Sequence, residues 1–146
     1  MIYFMAATIS IFASVSVFGQ SCFVEAGKTY NINPRLLRAI SKVESKHNSK
    51  AININSNGTI DYGMMQINSF WGKKLKSFGI KTADLFDSCT NVYVGAWILA
   101  QSIQKFGNTW EAVGAYNAGT GVSLLAKQKR LKYASIVYRT YYSRRL

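Results

Sequence analysis

The first 24 residues of this 146-residue chain carry no charged side chain. The run from Met1 to Gly19 is mostly apolar, with scattered Thr and Ser, which is typical of the hydrophobic region of a secretory signal peptide. We therefore predict a signal peptide over residues 1–19, cleaved before Gln20, and a single mature domain over residues 20–146. A retained membrane anchor is the alternative, because about 20 apolar residues can span a bilayer.

The charge and the scarcity of metal-binding side chains limit what the domain does. Lys and Arg number 18 against 6 Asp and Glu, a net charge of +12, which favours an anionic partner. Nucleic acid is not expected, because the chain has no recognised helix-turn-helix or aromatic RNA-binding motif and is predicted to be exported. One His and two Cys cannot build a tetrahedral zinc site, and no GKS/T phosphate loop is present. We expect no metal and no organic cofactor.

Cys22 and Cys89 are the two cysteines of the sequence. An exported protein folds in an oxidising compartment, which favours a disulfide between them. Closing a loop of about 65 residues would contribute about 4 kcal/mol to the free energy of unfolding. Two buried free thiols, or a catalytic Cys-His pair, are the alternatives.

The spacing of apolar residues predicts a mainly helical α+β domain with a small β element. Asn33 is a good N-cap and Pro34 suits the first helical position, so a helix is expected to begin there. One apolar stripe follows, which must face the core: Leu36, Leu37, Ile40 and Val43. Residues 48–61 are rich in Asn, Ser and Gly, and Ile52, Ile54 and Ile60 alternate with these polar residues. This pattern predicts a loop and a hairpin around Asn57-Gly58.

Four further helices are expected. The first ends near Tyr30, the second covers residues 91–105, and the third covers residues 109–116 and stops at Gly119. The last 25 or so residues form a terminal amphipathic helix. Its expected apolar side consists of Leu131, Ala134, Val137, Tyr138 and Tyr141.

Glu44 interrupts the apolar pattern of the helix that begins at Pro34. It lies four residues after Ile40 and seven after Leu37, which places its carboxyl on the apolar face. Burial disfavours the ionised form and raises the pKa, and the nearby helix C-terminus acts in the same direction. Such a group can stay protonated near neutral pH and act as a general acid. The alternative is that the face curves and Glu44 is solvated or pairs with a nearby Lys or Arg.

A second carboxylate follows in a polar setting. Asp61 lies 17 residues after Glu44 and begins the segment DYGMMQIN, which ends at Asn68. A buried acid on a helix, followed by a carboxylate and amides on a β element, suits the cleavage of glycosidic bonds. One group protonates the leaving oxygen, and polar groups stabilise an oxocarbenium-like transition state.

Three stretches of the sequence together resemble the signatures of the lysozyme-like lytic transglycosylases. They are Val43-Glu44-Ser45, Asp61-Tyr62-Gly63-Met64-Met65-Gln66-Ile67-Asn68 and Ala115-Tyr116-Asn117-Ala118-Gly119. The likeness extends from Cys22 to about Tyr142 and includes the tail Arg130-Leu131-Lys132-Tyr133-Ala134. It is greatest to the small exported enzymes that accompany type III secretion, type IV pilus and conjugation systems. The resemblance implies a lysozyme-like fold, with a small β-hairpin or sheet beside an active-site cleft, in the periplasm of a Gram-negative bacterium.

The resemblance also assigns roles to residues. Glu44 is implied as the catalytic acid and base, and Gln66 and Tyr116 as substrate-binding residues of the glycan cleft. Ser45, Asn68 and Asn117 lie in the matched motifs and are expected to contact substrate, although Ser45 and Asn117 could instead be structural. Asp61 is a candidate auxiliary carboxylate, as in animal-type lysozymes. His47 either touches the site or is an ordinary surface histidine.

The implied reaction is non-hydrolytic cleavage of peptidoglycan glycan strands at the β-1,4 bond between N-acetylmuramic acid and N-acetylglucosamine. It leaves a 1,6-anhydromuramyl product and would open the wall locally for a secretion or pilus apparatus. A lysozyme-type hydrolase that uses Glu44 and Asp61 is one alternative, and an inactive peptidoglycan-binding subunit of an envelope machine is the other. Contact with membrane is expected only through the transient signal peptide.

Basic residues are concentrated at the end of the sequence. Seven of the 18 lie from Lys127 onward, and no acidic residue follows Glu111. This region either tethers the enzyme to an anionic wall polymer or acidic partner, or forms a solvated helix face.

Overall fold

The computed structural model describes residues 17–144 and residue 146. Residues 1–16, which hold most of the predicted signal peptide, lie outside the described residues, so cleavage before Gln20 stays a prediction. No helix within the described residues is both long enough and apolar enough to cross a membrane.

The described part of the chain folds into six α-helices and one small antiparallel sheet, which confirms the predicted mainly helical α+β class. The helices are α1 (Val17–Tyr30), α2 (Pro34–Ser45), α3 (Gly72–Ser77), α4 (Ser88–Phe106), α5 (Trp110–Ala118) and α6 (Leu124–Tyr142). The strands are β1 (Ile52–Ile54), β2 (Ile60–Tyr62) and β3 (Ile67–Asn68), in the order β1-β2-β3. Helix α4 packs against α1 and α5, and α6 packs against α5 and α2.

Helix α2 begins as the sequence predicts. The Asn33 side chain accepts a hydrogen bond from the backbone N–H of Arg35 at 2.9 Å, and Pro34 is the first helical residue. The helix ends at Ser45, before Lys46 in the left-handed conformation with φ 56°. Leu37 and Ile40 are fully buried, so the core-facing side of α2 leads directly to Glu44 in its last turn.

The predicted hairpin around Asn57-Gly58 is present, and a third strand that the sequence did not predict extends it. Gly58 adopts φ 81°, and the N–H of Asn55 donates to the carbonyl of Thr59 at 2.8 Å to close the turn. Strand β3 pairs antiparallel with β2. In this register Asp61 lies opposite Asn53 on one side and Asn68 on the other.

The predicted apolar side of α6 is partly wrong. Ala134 and Val137 are buried, but Leu131 and Tyr138 are 69% and 47% exposed. The buried face instead includes Arg130, which is 2% exposed. Its guanidinium pairs with Glu111 at 3.2 Å and donates to the carbonyls of Gly119 and Gly121, so a charged side chain fills a core-facing position. The prediction differs from the structure because it took the inward positions of α6 from apolar residues alone, which left out Arg130.

The predicted disulfide between Cys22 and Cys89 is confirmed, with Cα atoms 5.1 Å apart. It joins α1 to the first turn of α4 and closes a loop with a sequence separation of 67. The alternatives of free thiols and of a catalytic Cys-His pair are therefore excluded.

Candidate active site

Glu44 lies in the last turn of α2, half-buried, with neutral partners. The hydroxyl of Tyr133, from α6, donates a hydrogen bond to its Oε1, and the Asn117 side chain, from the end of α5, also hydrogen-bonds to the carboxyl. Within residues 17–144 and 146 the one ion pair joins Arg130 to Glu111, so Glu44 does not pair with a Lys or Arg. The ion-paired alternative for Glu44 is thus wrong.

The environment of Glu44 raises its pKa from 4.5 to about 7. Burial is the largest cause, and the negative charge of Asp61 adds to it. The hydrogen bonds from Tyr133 and Asn117 act in the opposite direction, because they stabilise the carboxylate. Near neutral pH the group is populated in both forms, so it can donate a proton in one step and accept one in the next.

Asp61, in the centre of the sheet, is held by three asparagine side chains. Its Oδ1 accepts from Nδ2 of Asn68 at 2.6 Å, and its Oδ2 accepts from Nδ2 of Asn55 at 2.9 Å and of Asn53 at 3.3 Å. Because these donors come from both neighbouring strands and the hairpin turn, the carboxylate is fixed in orientation. It acts on Glu44 through its charge rather than through a direct hydrogen bond.

Asn68 has its own polar atoms engaged inside the protein. Its Nδ2 also donates to Oγ1 of Thr59 at 2.9 Å, and its Oδ1 accepts from the backbone N–H of Phe70 at 2.9 Å. These bonds orient Asp61 and cap the short 3-10 turn at Ser69–Trp71. The predicted contact between Asn68 and substrate stays a prediction.

Tyr116, from α5, is brought close to both carboxyl groups. Its hydroxyl donates to the carbonyl of Met65 at 2.7 Å. Burial raises the pKa of this hydroxyl well above 10, and the charges of Glu44 and Asp61 raise it further. Tyr116 therefore stays a hydrogen-bond donor close to Glu44, and its predicted contact with substrate stays a prediction.

Gln66 follows Met65 in the chain and Ser45 follows Glu44, and the predicted substrate contact of Gln66 stays a prediction. Gln66 adopts φ 49°, an uncommon conformation for a residue with a Cβ, and its Nε2 donates to the carbonyl of Gly63 at 2.8 Å. The Oγ of Ser45 donates to the carbonyl of Met64 at 2.8 Å and accepts from the N–H of Asn48 at 3.0 Å. Ser45 thus makes the structural bonds that were the alternative to substrate contact.

His47 contacts one residue of α2 and one of α1. Its Nδ1 lies 2.9 Å from Oγ of Ser41, and its ring packs edge-on against Phe23. Burial lowers the pKa of the imidazole, and the charges of Lys42 and Arg38 lower it further. The structure records no contact of His47 with Glu44.

Tyr133 contacts Glu44, although the sequence assigned no role to it. Its position four residues before the buried Val137 was the available signal, since it places Tyr133 on the inner side of α6. A buried tyrosine hydroxyl usually requires a hydrogen-bond partner. Glu44 is that partner here.

A separate cavity of about 610 Å³ lies between α3 and α4, away from Glu44. Its lining is largely aromatic and aliphatic and includes Tyr30, Leu75, Phe78, Ile80, Tyr93 and Trp97. No group of three or more His, Cys, Asp or Glu side chains in the described ranges is arranged to hold a metal ion.

Comparison with known proteins agrees with this geometry. The family model for the transglycosylase SLT domain matches residues 21–137. Protein IpgF of Shigella flexneri is 46% identical over 121 residues, which cover 82% of this chain and 78% of that protein. The X polypeptide of Escherichia coli K12 is 44% identical over 138 residues, covering 94% and 82%. Invasion protein IagB of Salmonella typhimurium SL1344 is 43% identical over 129 residues, covering 88% and 79%.

A solved structure shows the same fold. An inactive mutant of the lytic transglycosylase Slt from Pseudomonas aeruginosa superposes with a TM-score of 0.65 and 23% sequence identity. The match covers 84% of this chain and 23% of the Slt chain, so the domain corresponds to about a quarter of that enzyme.

Proposed function

Because this chain belongs to the transglycosylase SLT domain family, we propose that it cleaves peptidoglycan at the β-1,4 bond between N-acetylmuramic acid and N-acetylglucosamine, without using water. The observation that carries the proposal is Glu44: a half-buried carboxyl, bonded by neutral donors, with a pKa of about 7. A group of that kind can serve as both acid and base in one catalytic cycle.

In the first step Glu44 is protonated. It gives its proton to the bridging oxygen, the bond between that oxygen and C1 of N-acetylmuramic acid breaks, and the leaving sugar departs with a new 4-hydroxyl group. Positive charge develops at C1 and the ring oxygen. The carboxylate of Asp61, held in place by three asparagine donors, stabilises this positive charge electrostatically.

In the second step Glu44 is a carboxylate. It accepts the proton of the C6 hydroxyl of the same N-acetylmuramic acid, and the C6 oxygen forms a bond to C1. The product is a 1,6-anhydro sugar, and Glu44 is protonated again. Every atom of the product comes from the glycan, so the proposal requires neither water nor a cofactor.

Mass analysis of fragments from purified peptidoglycan tests this chemistry. We expect products one water lighter than fragments with reducing ends, and no products from the Glu44→Gln variant. Fragments with reducing ends would overturn the proposal and support a hydrolase. Wild-type protein that binds glycan and releases no fragments would support the inactive binding subunit instead.

The hydrolase is a second candidate because of one observation: Asp61 is held as a fixed second carboxylate whose charge reaches Glu44. In a lysozyme-type mechanism this carboxylate would act directly at C1, and a water molecule would complete the reaction. The same fragment analysis separates the two candidates.

We further propose that the mature enzyme is exported to the periplasm of a Gram-negative bacterium and opens the wall locally for a secretion, pilus or conjugation apparatus. The uncharged N-terminal stretch supports export. The similarity to invasion protein IagB supports a role beside such an apparatus. Cell fractionation, with N-terminal sequencing of the periplasmic form, should give Gln20 as the first residue. Full-length protein in the membrane fraction would indicate a retained anchor.

A further inference from the structure

We propose that Asn91, on α4, is a positioning residue for the reaction. It holds the segment Tyr62–Gln66, here called the site loop, so that Gln66 and the Met65 carbonyl that Tyr116 bonds keep their positions. This inference rests on the proposed function, because the consequence is measured on glycan cleavage and glycan binding.

The side chain of Asn91 joins three separate segments. Its Oδ1 accepts from the backbone N–H of Met65 at 2.7 Å, and its Nδ2 donates to the carbonyl of Tyr62 at 2.9 Å. The second Nδ2 hydrogen bond goes to the carbonyl of Leu85 at 2.7 Å, in the 3-10 turn Thr82–Phe86. Asn91 is fully buried. Water cannot replace these bonds without entering the core, so their loss leaves buried polar groups unpaired.

Gly63 and Asn91 fit each other closely. A Cβ atom at Gly63 would lie 2.3 Å from Nδ2 of Asn91 and 2.4 Å from the carbonyl oxygen of Leu85. Gly63 also adopts φ 73°, the left-handed region that favours glycine. The absence of a side chain at Gly63 is therefore what lets the amide of Asn91 reach the backbone of the site loop.

The site loop is bonded from the other side by the catalytic region. The carbonyl of Met65 accepts from the Tyr116 hydroxyl at 2.7 Å, and the carbonyl of Met64 accepts from Oγ of Ser45 at 2.8 Å. Met65 is thus held at its N–H by Asn91 and at its carbonyl by Tyr116. The side-chain hydrogen bonds of Asn91 go to Tyr62, Met65 and Leu85 and none goes to Glu44, so its influence on the reaction passes through the loop.

Removing the amide has two expected consequences for the chemistry. The strained backbone at Gln66 (φ 49°) can relax, which moves a predicted substrate contact. The carbonyl of Met65 can withdraw from Tyr116, which frees that hydroxyl to donate to Glu44. A new donor stabilises the carboxylate and lowers the pKa of Glu44.

A shift in the pKa of Glu44 can be assigned to this loop movement because the other groups that act on Glu44 are identified. They are Tyr133 from α6, Asn117 from α5 and Asp61 from β2, and Tyr116 from α5 lies close enough for the charge of Glu44 to raise its own pKa. Asn91 is uncharged, so its removal changes no direct charge interaction.

The test compares Asn91→Ala with Leu99→Ala, a matched control. Leu99 is equally buried on the same helix, and its truncation destabilises the fold without removing a hydrogen bond from the site loop. At a temperature where both variants are folded, we expect kcat/KM of Asn91→Ala to fall at least about tenfold below that of the control. We also measure kcat/KM against pH. The alkaline limb of this profile should move to lower pH in Asn91→Ala and stay in place in Leu99→Ala.

The Gly63→Ala substitution disturbs the same hydrogen bonds by placing a Cβ against the Asn91 amide. It is compared with Leu99→Ala in the same way, and it replaces Asn91→Ala if that variant does not fold. Binding of intact glycan strands in the Glu44→Gln background adds a readout without turnover: the second substitution should weaken affinity several-fold, and Leu99→Ala should not. Equal kcat/KM, unmoved pH limbs and equal glycan affinity for Asn91→Ala and the control would overturn the inference. Failure of the proposed function is a separate result, since it appears as reducing ends in the products of the wild-type enzyme.

Discussion

The hydroxyl of Tyr133 donates a hydrogen bond to the carboxyl of Glu44 and so joins the last helix of the chain to the end of the second. Burial raises the pKa of Tyr133 well above 10, and the charge of Glu44 raises it further, so Tyr133 remains a donor throughout the neutral range. The proton affinity of Glu44 is therefore a balance. Burial and the charge of Asp61 raise its pKa, and the donors Tyr133 and Asn117 lower it.

The Tyr133→Phe substitution removes one of the two hydrogen-bond donors that lower the pKa of Glu44. Without the donor the carboxylate is less stable, so the pKa of Glu44 should rise above about 7. A hydrogen bond to a charged group contributes about 1.5–3 kcal/mol, which corresponds to a shift of roughly one pH unit or more. The measurement is kcat/KM against pH, whose alkaline limb should move upward. Tyr138→Phe, on the exposed side of α6, is the control, and a limb that stays in place in Tyr133→Phe would contradict the assignment.

Glu44 should make stability depend on pH. Its pKa is raised from 4.5 to about 7 on folding, so its contribution to stability is fully present below pH 4.5 and is lost as the pH rises through 7. The difference corresponds to about 3 kcal/mol. Denaturant unfolding at pH 4 and pH 8 should show this loss in the wild type relative to Glu44→Gln. Parallel changes in the two proteins would show that the carboxyl is not buried as described.

Asp61→Asn separates the roles of the two carboxyl groups. Loss of its charge should lower the pKa of Glu44 and move the alkaline limb of kcat/KM to lower pH. A transglycosylase needs one acid and base, so we expect activity to fall less than about 100-fold, against about 10³-fold or more for Glu44→Gln. Equal losses in the two variants would favour the two-carboxylate hydrolase.

The disulfide should contribute strongly to stability. Replacing both cysteines, in Cys22→Ser/Cys89→Ser, should lower the free energy of unfolding by about 4 kcal/mol, because the closed loop is long. Denaturant unfolding with and without a thiol reductant checks this. The reductant should destabilise the wild type and leave the double variant unchanged; a response of the variant would point to an effect of the reductant elsewhere.

Much of the fold follows from local signals in the sequence. Asn33-Pro34 marked the start of α2, Asn57-Gly58 marked the hairpin, and the position of Glu44 on the apolar stripe indicated a buried acid. These features depend on residues a few positions apart, so the sequence alone carries them. The disulfide was also predictable, because a chain that is predicted to be exported and has two cysteines has one pairing to form.

Features that depend on distant contacts were not predictable in the same way. Arg130 occupies a core position because Glu111 and two loop carbonyls satisfy its guanidinium, and its own helix gives no sign of them. Strand β3 has two residues and depends on pairing with β2. Asn91 is likewise a buried polar residue of α4, and its hydrogen bonds to Met65 and Tyr62 join residues that are distant in the sequence.

The bond between Tyr133 and Glu44 also bears on biosynthesis. The two residues are 89 positions apart, and Tyr133 lies 13 residues before the end of the chain. A nascent or truncated chain that lacks α6 contains the Glu44 carboxyl without this donor. The proton affinity of Glu44 is thus set only once α6 has been synthesised and has packed against α2.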